Sequence, residues 1–282
     1  MDIIVSKNDS LIKTIIHSVQ GVSFGNAQKM LRKGDIKVNN KRTKQNIQVT
    51  VGDKISIYLP TTKSIPKVDI IYEDDNILIV NKPQGIECAT RDKSSENTYS
   101  LEEIFEDHNA IVIHRLDRLT EGLVILAKTK ENAVKFERIF RCNEVHKSYQ
   151  ALLDGKPNTE GEIKAYLYKD SKKALAQVSD TPLDGYKEII TEFKILNSNN
   201  NHSLVDINLK TGRTHQIRAQ FAHLGTPVTN DSKYGTTLKD SKYKGYFLTA
   251  YRLSFTITDD NLKYLNEKTF EITPTWLTYI NL

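Results

Sequence analysis

Cysteine is scarce in this 282-residue chain, and long apolar runs are missing. The two cysteines, Cys88 and Cys142, lie far apart and form no metal-binding or redox pair. We therefore expect a reducing compartment, the cytoplasm, rather than a disulfide-stapled secreted domain. The sequence has no run of about 18 apolar residues that would predict a membrane-spanning helix. Its N-terminus also lacks the basic-then-apolar pattern of a secretory signal.

Motifs for common cofactors are missing as well. The sequence contains no glycine-rich phosphate loop and no dinucleotide fingerprint. His215 and His223 are eight residues apart without a third ligand at a suitable spacing, which does not favour a metal site. We therefore expect neither a metal site nor a nucleotide-binding loop of these two kinds.

Positive charge is concentrated near the N-terminus. Residues 1–60 contain ten Lys and Arg against four Asp, a net charge of +6, whereas the other 222 residues have a net charge of −1. Seven of the basic residues fall between Lys29 and Lys44, in a stretch that reads as helix, turn and strand. A solvated lysine-rich surface would give the same pattern, but the asymmetry favours a module that binds a polyanion.

The most informative stretch covers residues 111–128. Two apolar segments, each long enough for a buried strand, flank a short charged centre, and Gly122 is predicted to bend the chain between them. Asp117 lies in that centre between Arg115 and Arg118, whose charges favour its ionised form. A fixed carboxylate can serve as nucleophile, base or orienting anion, although such spacing is also typical of a structural ion pair in a turn.

A second informative stretch follows at residues 210–225. A glycine predicts a tight turn there, Thr214 a helix N-cap, and Gly225 the end of the helix. Arg213 and Arg218 then lie near the start of the helix, where donors converge on anions. Between the two stretches, we predict a helix over 131–145 and weak strands alternating with polar turns over 154–200.

These stretches resemble the RluA-type pseudouridine synthases, which isomerise uridine to pseudouridine in RNA. The resemblance is carried by His114-Arg115-Leu116-Asp117, Thr120, Gly122-Leu123, Ala127-Lys128, Tyr149 and Gly212-Arg213-Thr214-His215-Gln216-Ile217-Arg218. Some positions depart from the family pattern: Cys88 and Ala89, where Val and His are common, and three further positions. Glu121 stands where Ser is usual, Asn230 where Gly is usual, and Thr249 where His is usual.

The resemblance also implies roles for individual residues. Asp117 is the catalytic carboxylate, which attacks the ribose anomeric carbon or C6 of the base, or assists glycal formation. Arg218 is its basic partner, and Tyr149 either helps to remove the C5 proton or stacks. Leu248 lies under the target base, and Arg115 takes the place of the uridine flipped out of the RNA. Further RNA contacts are expected from Lys29, Arg32, Lys33, Lys37, Lys41, Arg42, Arg213 and His215.

Residues 10–60 resemble the small αL-type RNA-binding domain that often precedes RluA-type catalytic domains. We therefore expect an α+β protein with an RNA-binding domain at 1–60, a linker at 61–68, and a mixed, mainly antiparallel-sheet catalytic domain at 69–282. Likeness to the RluC-type branch favours large-subunit ribosomal RNA as the partner of a monomeric enzyme, with transfer RNA as the alternative. No membrane and no nucleotide cofactor are expected.

Two rival functions remain open at this point. The departures at Glu121, Asn230 and Thr249 fit an RNA-binding or ribosome-assembly factor with an inactive catalytic domain, because altered supporting positions weaken a site. A nucleoside hydrolase would instead use Asp117 on the glycosidic bond. Such hydrolysis usually needs two carboxylates, and the matched motifs contain no second one.

Overall fold

The computed structural model describes residues 1–19, 24–58, 65–89, 99–170, 174–235, 243 and 245–280. The chain divides into two compact units, Met1–Ser64 and Ile65–Leu282. This boundary falls in the stretch predicted as linker, of which residues 61–64 lie outside the described part. Among the described residues, no helix is long and apolar enough to cross a membrane.

The first unit packs two helices on a small sheet. Its elements are β1 (Asp2–Ile4), β2 (Asp9–Ser10), α1 (Leu11–Ser18), α2 (Phe24–Lys33), β3 (Ile36–Val38), β4 (Lys41–Arg42), β5 (Gln48–Val49) and β6 (Lys54–Ile57). The sheet order is β1-β6-β3-β4, and β2 pairs with β5. The helices form because their apolar residues share one face, which buries Leu11, Ile15 and Leu31 in a cluster with Ile36 and Ile55.

Two turns of this unit follow from residue type. Helix α2 ends at Lys33 and is followed by Gly34, whose φ of +77° is a left-handed conformation that glycine adopts without a Cβ penalty. Asn39 and Asn40 join β3 to β4 at φ values of +48° and +66°, as a two-residue type I′ hairpin requires. The hairpin places Lys37 opposite Arg42.

The second unit is built on one large sheet. Its elements are β7 (Asp69–Glu73), β8 (Ile77–Lys82), α3 (Leu101–Ile104), β9 (Ile111–Val112), β10 (Glu121–Ala127), α4 (Lys130–Arg141), β11 (Val145–Asp154), β12 (Gly161–Asp170), β13 (Leu175–Ser179), β14 (Lys187–Ser198), β15 (His202–Leu209), α5 (Gln216–His223), β16 (Leu248–Phe255) and β17 (Phe270–Glu271). Short 3₁₀ helices lie at Glu106–His108, Lys263–Glu267 and Thr275–Tyr279.

The strand order confirms the predicted α+β class. The described strands run β13-β12-β14-β15-β11-β16-β10-β8-β7, with β17 beside β16 and β9 beside β10. Strands β10 and β16 pair in parallel, and the other described pairs are antiparallel. The sheet is therefore mixed and mainly antiparallel.

The middle of this sheet is buried on both faces. Because successive side chains of a strand point to opposite faces, Ile79 of β8 joins the cluster that contains Phe136 of α4. Its neighbour Val80 joins the cluster that contains Phe221 of α5. Helices thus cover both faces of the central strands, which explains their unbroken apolar sequences. The candidate site lies on the α5 side.

Gly122 does not form the predicted bend. It lies inside β10 with a φ of +129°, and a Cβ at this position would be 2.6 Å from the backbone nitrogen of Ala250. Gly122 and Ala250 are register partners in the parallel pair of β10 with β16. Glycine is required here because two backbones approach closely. The prediction of a bend was wrong, and the chain turns earlier, between β9 and β10.

Two other predictions need correction. The helix expected over 131–145 is α4, which begins after Thr129, whose side chain accepts a hydrogen bond from the backbone of Asn132, and ends at Arg141. Residues 154–200 contain long strands rather than weak ones, and β14 alone has 12 residues. Polar side chains on the solvent face of an antiparallel sheet dilute the apolar signal of such strands.

Candidate active site

A pocket of about 140 Å³ opens where the turn between β9 and β10 meets the start of α5. It brings together the four residues that were predicted to be catalytic. Asp117 comes from the turn, Tyr149 from β11, Arg218 from α5 and Leu248 from the start of β16. Three of the residues predicted to contact RNA also line it, namely Arg115, Arg213 and His215.

Asp117 is held through one of its two carboxylate oxygens. Its Oδ2 accepts a hydrogen bond from Nη1 of Arg218 at 2.9 Å and one from the hydroxyl of Tyr246 at 3.3 Å. The same oxygen lies 3.7 Å from Nε2 of His215. None of the described residues makes a side-chain hydrogen bond or ion pair with Oδ1, so this oxygen remains available to a molecule in the pocket.

Arg218 is shared by two carboxylates. Its Nε donates to Oδ2 of Asp231 at 2.6 Å and its Nη2 to Oδ1 at 2.8 Å, which leaves Nη1 for Asp117. The side chains of Arg218 and Asp231 are only 7% and 1% exposed. Burial by itself lowers the pKa of Arg218, but hydrogen bonding to Asp231 and the neighbouring anionic groups outweigh burial and raise it overall. The guanidinium therefore stays charged and bidentate.

Two tyrosine rings lie against this guanidinium. The carbon Cζ of Arg218 is 4.1 Å from the ring centroid of Tyr246 and 5.0 Å from that of Tyr234, within range of cation–π attraction. Burial, with the charge of Asp117, raises the pKa of Tyr246. Its hydroxyl therefore stays protonated, donates to Asp117 and accepts from Thr120 at 3.2 Å.

His215 also faces Asp117. Its Nδ1 lies 2.7 Å from the hydroxyl of Tyr234, which accepts a hydrogen bond from the backbone of Ala176. Burial lowers the pKa of His215, so the ring is neutral. The Tyr234 hydroxyl can donate its proton to Nδ1, which places the ring proton on Nε2, on the side of Asp117.

The start of α5 differs from the prediction. The N-cap residue is His215 rather than Thr214, it has a left-handed φ of +58°, and no side chain caps the helix. The preceding turn is held instead by the buried Gln216, whose Oε1 accepts from the backbone nitrogen of Arg213 at 3.0 Å and from the hydroxyl of Thr211 at 2.9 Å. The end of the helix agrees with the prediction, because Gly225 follows it with φ +79°.

Tyr149 and Leu248 give the pocket its apolar surface. Tyr149 pairs with Ala250 and Ala151 pairs with Leu248 across β11 and β16, and alternation along a strand keeps Tyr149 and Ala151 on one face. Both pocket residues are buried. Burial, with the charge of Asp117, raises the pKa of Tyr149, so its phenol is neutral at physiological pH.

A buried lysine supports the turn that contains Asp117. Lys82, at the end of β8, has no exposed surface. Its Nζ donates to three backbone carbonyls, those of Pro83 at 3.1 Å, Ile86 at 3.0 Å and Arg118 at 3.2 Å. Burial lowers the pKa of Lys82 to about 8. The ammonium group ties the chain after β8 to the residue that follows Asp117.

Two of the departures from the family pattern contact each other. The buried carboxylate of Glu121 accepts from the hydroxyl of Thr249 at 2.7 Å, from the backbone and hydroxyl of Thr275 at 2.8 and 2.6 Å, and from the hydroxyl of Tyr243 at 3.0 Å. Trp276, which is fully buried, donates from Nε1 to the hydroxyl of Thr249 at 2.7 Å. Glu121 and Thr249 thus act as one unit that anchors the C-terminal segment beside Leu248.

The third departure has a conformational explanation. Asn230 adopts φ +63°, in the left-handed region where glycine is usual and where asparagine is among the best tolerated alternatives. Its Nδ2 donates to the carbonyls of Tyr243 at 3.0 Å and Gly245 at 2.6 Å. The side chain therefore makes contacts that a glycine could not make.

The predicted RNA contacts of the first unit do not belong to this pocket. Arg32, Lys33, Lys41 and Arg42 are exposed, and Lys37 is partly buried with its Nζ 5.0 Å from the ring centroid of Tyr58. The side chain of Lys29 lies outside the described part of the structure.

Sequence reasoning missed Asp231, Tyr246 and Lys82 as members of the site. One signal could have indicated Asp231. If Arg218 is buried with Asp117 as its single carboxylate partner, some of its N–H donors are left unpaired, which predicts a second acceptor. In the described ranges, no group of three or more His, Cys, Asp or Glu is placed to hold a metal ion.

Comparison with known proteins decides the family. Residues 76–223 match the profile of a family described as RNA pseudouridylate synthase. The chain belongs to the RNA pseudouridine synthases. This synthase is 30% identical to an uncharacterized RNA pseudouridine synthase of Mycoplasma capricolum, over 97% of this chain and 98% of the relative. It is 33% identical to the ribosomal large subunit pseudouridine synthase C of Rickettsia bellii, over 75% and 77% of the two chains.

Solved structures agree with this assignment. The synthase resembles human RNA Pseudouridylate Synthase Domain Containing 1 at 25% identity and a TM-score of 0.57, over 76% of this chain and 85% of that one. Human RNA Pseudouridylate Synthase Domain Containing 4 has the same fold, with 19% identity and a TM-score of 0.58 over 74% and 90% of the chains. The predicted RluA-type family and isomerase activity on RNA are thereby confirmed.

Proposed function

We propose that this synthase converts specific uridines of large-subunit ribosomal RNA to pseudouridine, with Asp117 as the catalytic carboxylate. The observation that carries the proposal is the placement of Asp117, whose Oδ2 is fixed by Arg218 while no described residue bonds Oδ1. Relatives at 33% identity from two Rickettsia species, named ribosomal large subunit pseudouridine synthase C, support the choice of RNA.

The pocket fits a single extruded base. Its volume of about 140 Å³ is below the roughly 300–1,000 Å³ of drug-sized ligand sites. Chemistry on a base inside folded RNA requires its extrusion from the stack, which costs roughly a few kcal/mol. Tyr149 and Leu248 offer apolar surface to the extruded uracil. Arg115 is exposed at the rim, where it would fill the vacated place by stacking or phosphate contact.

The reaction redistributes atoms within one nucleotide. The N1–C1′ bond breaks, a C5–C1′ bond forms, the proton on C5 is lost and N1 gains a proton. Oδ1 of Asp117 would act on C1′ or C6, or assist glycal formation, while Arg218 keeps the carboxylate anionic. A neutral Tyr149 phenol supports a stacking role for this residue more than a role as base. The balance requires no oxidant and no group donor.

We further propose that the unit Met1–Ser64 binds the sugar-phosphate backbone of RNA. Of the exposed basic residues, Arg32 lies on α2, and Lys41 and Arg42 form β4, an edge strand of the sheet in this unit. Such cations neutralise phosphates and release counterions, which supplies affinity without sequence specificity. The target uridine would then be selected by contacts between the RNA and the protein around the catalytic pocket.

Mapping pseudouridines in cells tests this function. Total RNA from cells with and without the gene is treated with carbodiimide, and reverse-transcription stops mark pseudouridines. We expect specific stops in large-subunit ribosomal RNA to disappear with the gene and to return with the wild-type chain. Loss of stops in transfer RNA alone would refute the ribosomal substrate. If no stop changes, an RNA-binding factor with an inactive catalytic domain becomes the better account.

A further inference from the structure

A second groove lies beside the catalytic pocket in the same unit. It has a volume of about 450 Å³ and shares Arg115, Leu209 and Gly212 with the pocket. This volume lies in the range of roughly 300–1,000 Å³ that ligand sites occupy. An RNA strand whose uridine enters the pocket must continue past its rim, and the shared residues make the groove one of the surfaces next to that rim.

The groove is positively charged. Arg115, Lys147 and Lys210 line it, and none of its described lining residues is acidic. Lys210 forms an exposed ion pair with Glu192 at 3.1 Å. Among the described residues, no carboxylate lies within ion-pair distance of Arg115 or Lys147. The groove therefore holds two cations whose charge is not neutralised by any carboxylate of the described residues.

Lys147 is the most informative of these cations. Its Nζ is 5.1 Å from the ring centroid of Phe140, and a Cβ built on Gly212 would lie 3.7 Å from that nitrogen. The amine thus lies against the glycine turn that separates the groove from the pocket. Lys147 is partly buried, and burial lowers its pKa. A partly desolvated cation that lines a groove and has no described carboxylate beside it favours binding of an external anion.

We propose that this groove binds the RNA backbone next to the target uridine, with Lys147 as the central contact to a phosphodiester. The proposal rests on the proposed function, because it deepens the same site. A phosphate is the anion that an RNA strand presents at every nucleotide, and lysine contacts it as a point charge.

Binding of full-length variants to a transcript of large-subunit ribosomal RNA tests the proposal. We expect Lys147→Met to bind about tenfold more weakly and to lower the slope of log K against log salt by about 0.7, the value for one single-strand phosphate contact. Lys147→Arg should retain most of the affinity. In Lys147→Met, the rate of pseudouridine formation at saturating RNA should change far less than the RNA affinity, because Lys147 does not line the catalytic pocket.

Lys268 provides the matched control. It is a partly buried lysine of the same unit, with its Nζ 5.2 Å from the ring centroid of Tyr72, and it lies outside the groove. Lys268→Met should leave affinity and salt slope unchanged. Lys147→Met should unfold at the wild-type temperature or above it, because it removes a desolvated charge, so a loss of binding cannot be ascribed to misfolding.

Two outcomes separate this proposal from the proposed function. If the wild-type chain forms pseudouridine and Lys147→Met has the wild-type affinity and salt slope, the groove proposal is refuted and the function stands. If the wild-type chain forms no pseudouridine, the proposed function is refuted. The RNA affinities of the wild-type chain and Lys147→Met then still test whether the groove binds RNA. In a second test, a neutral methylphosphonate replaces the RNA phosphate that is proposed to lie in the groove. This replacement should weaken RNA binding by the wild-type chain but not by Lys147→Met. Equal losses of affinity in both chains would refute the contact between Lys147 and that phosphate.

Discussion

Arg218 holds Asp117 with Nη1 alone, 2.9 Å from Oδ2, because its Nε and Nη2 are both bonded to Asp231. The position of the candidate catalytic carboxylate is therefore set by a second carboxylate that does not line the pocket. Asp231 is fixed in turn, since its Oδ1 also accepts from the backbone of Lys233 at 3.0 Å. Asp231 is a positioning residue in this account.

Replacing Asp231 tests this arrangement. Asp231→Asn keeps the shape of the side chain but removes its charge, and Arg218 then retains one carboxylate. Leaving a buried charge without any partner typically costs about 3–5 kcal/mol; because Arg218 keeps Asp117, we expect a decrease in the free energy of unfolding below that range but above the about 0–1 kcal/mol of an exposed pair. Urea denaturation at neutral pH measures it, and conversion of uridine should fall as well.

Glu271→Gln is the matched control for Asp231→Asn. The Nε of Arg252 lies 2.6 Å from Oε1 of Glu271, but the two side chains are 42% and 51% exposed. An exposed pair contributes about 0–1 kcal/mol. If Asp231→Asn and Glu271→Gln lowered the free energy of unfolding equally, burial would not be what makes the ion pair of Arg218 with Asp231 important for stability.

Glu121 gives a second prediction about stability. Its carboxylate accepts four hydrogen bonds from three residues, and Glu121→Gln replaces one accepting oxygen with a donating NH₂ group. We expect a loss of about 1–3 kcal/mol, the range for a buried group left without its partner, measured by thermal unfolding. Thr249→Val removes both the donor to Glu121 and the acceptor of the buried Trp276 Nε1, so we expect a loss in the same range. A Glu121→Gln chain as stable as the wild type would contradict the anchoring role of this carboxylate.

His114 predicts how stability depends on pH. Its Nε2 accepts from the backbone of Ile125 at 2.9 Å, and burial, with the charge of Lys147, lowers its pKa to about 3. The unfolded chain, with an ordinary pKa near 6.5, binds the proton between pH 3 and 6.5 while the folded chain does not. Stability therefore falls as pH decreases through this window, by up to about 1.4 kcal/mol per pH unit from this residue.

His114→Gln isolates that contribution. Glutamine offers an acceptor to Ile125 but does not titrate. Urea unfolding between pH 6.5 and 4.5 should show that the wild-type chain loses stability more steeply than the variant. Parallel curves for the two chains would mean that His114 is not held neutral by the fold.

The sequence predicted the residues that line the pocket better than the residues that hold them in position. Asp117, Tyr149, Arg218 and Leu248 were identified through the resemblance of short motifs to the RluA-type family, and all four line the pocket. The contact of Arg218 with Asp231 joins α5 to a later turn, and no local spacing encodes it.

The same limit explains the error at Gly122. A glycine between two apolar runs is typical of a bend, whereas its function here is to admit the backbone of Ala250 from a strand about 130 residues later. Thr214 was predicted as the N-cap by residue type, but the left-handed φ of His215 shifts the start of α5. The error at Gly122 arises from a tertiary contact that overrides local preference.

The first unit should contribute to RNA affinity through its charges. Lys37 and Arg42 are register partners across β3 and β4. We expect the double change Lys37→Gln with Arg42→Gln to weaken RNA binding and to lower the salt slope by about 0.7–0.9 for each phosphate that is no longer neutralised. Lys54→Gln is the control, because Lys54 pairs with Asp2 at 2.7 Å. An unchanged salt slope in the double variant would contradict RNA binding by this surface.

The most direct test of the central claim replaces the carboxylate of Asp117 by an amide. RNA labelled with tritium at uridine C5 releases the label when C5 loses its proton to form pseudouridine. We predict tritium release by the wild-type chain and none by Asp117→Asn, with RNA affinity unchanged, because the amide keeps the shape of the side chain but has no anionic oxygen to place at Oδ1. Tritium release by Asp117→Asn at the wild-type rate would contradict the assignment of Asp117 as the catalytic residue.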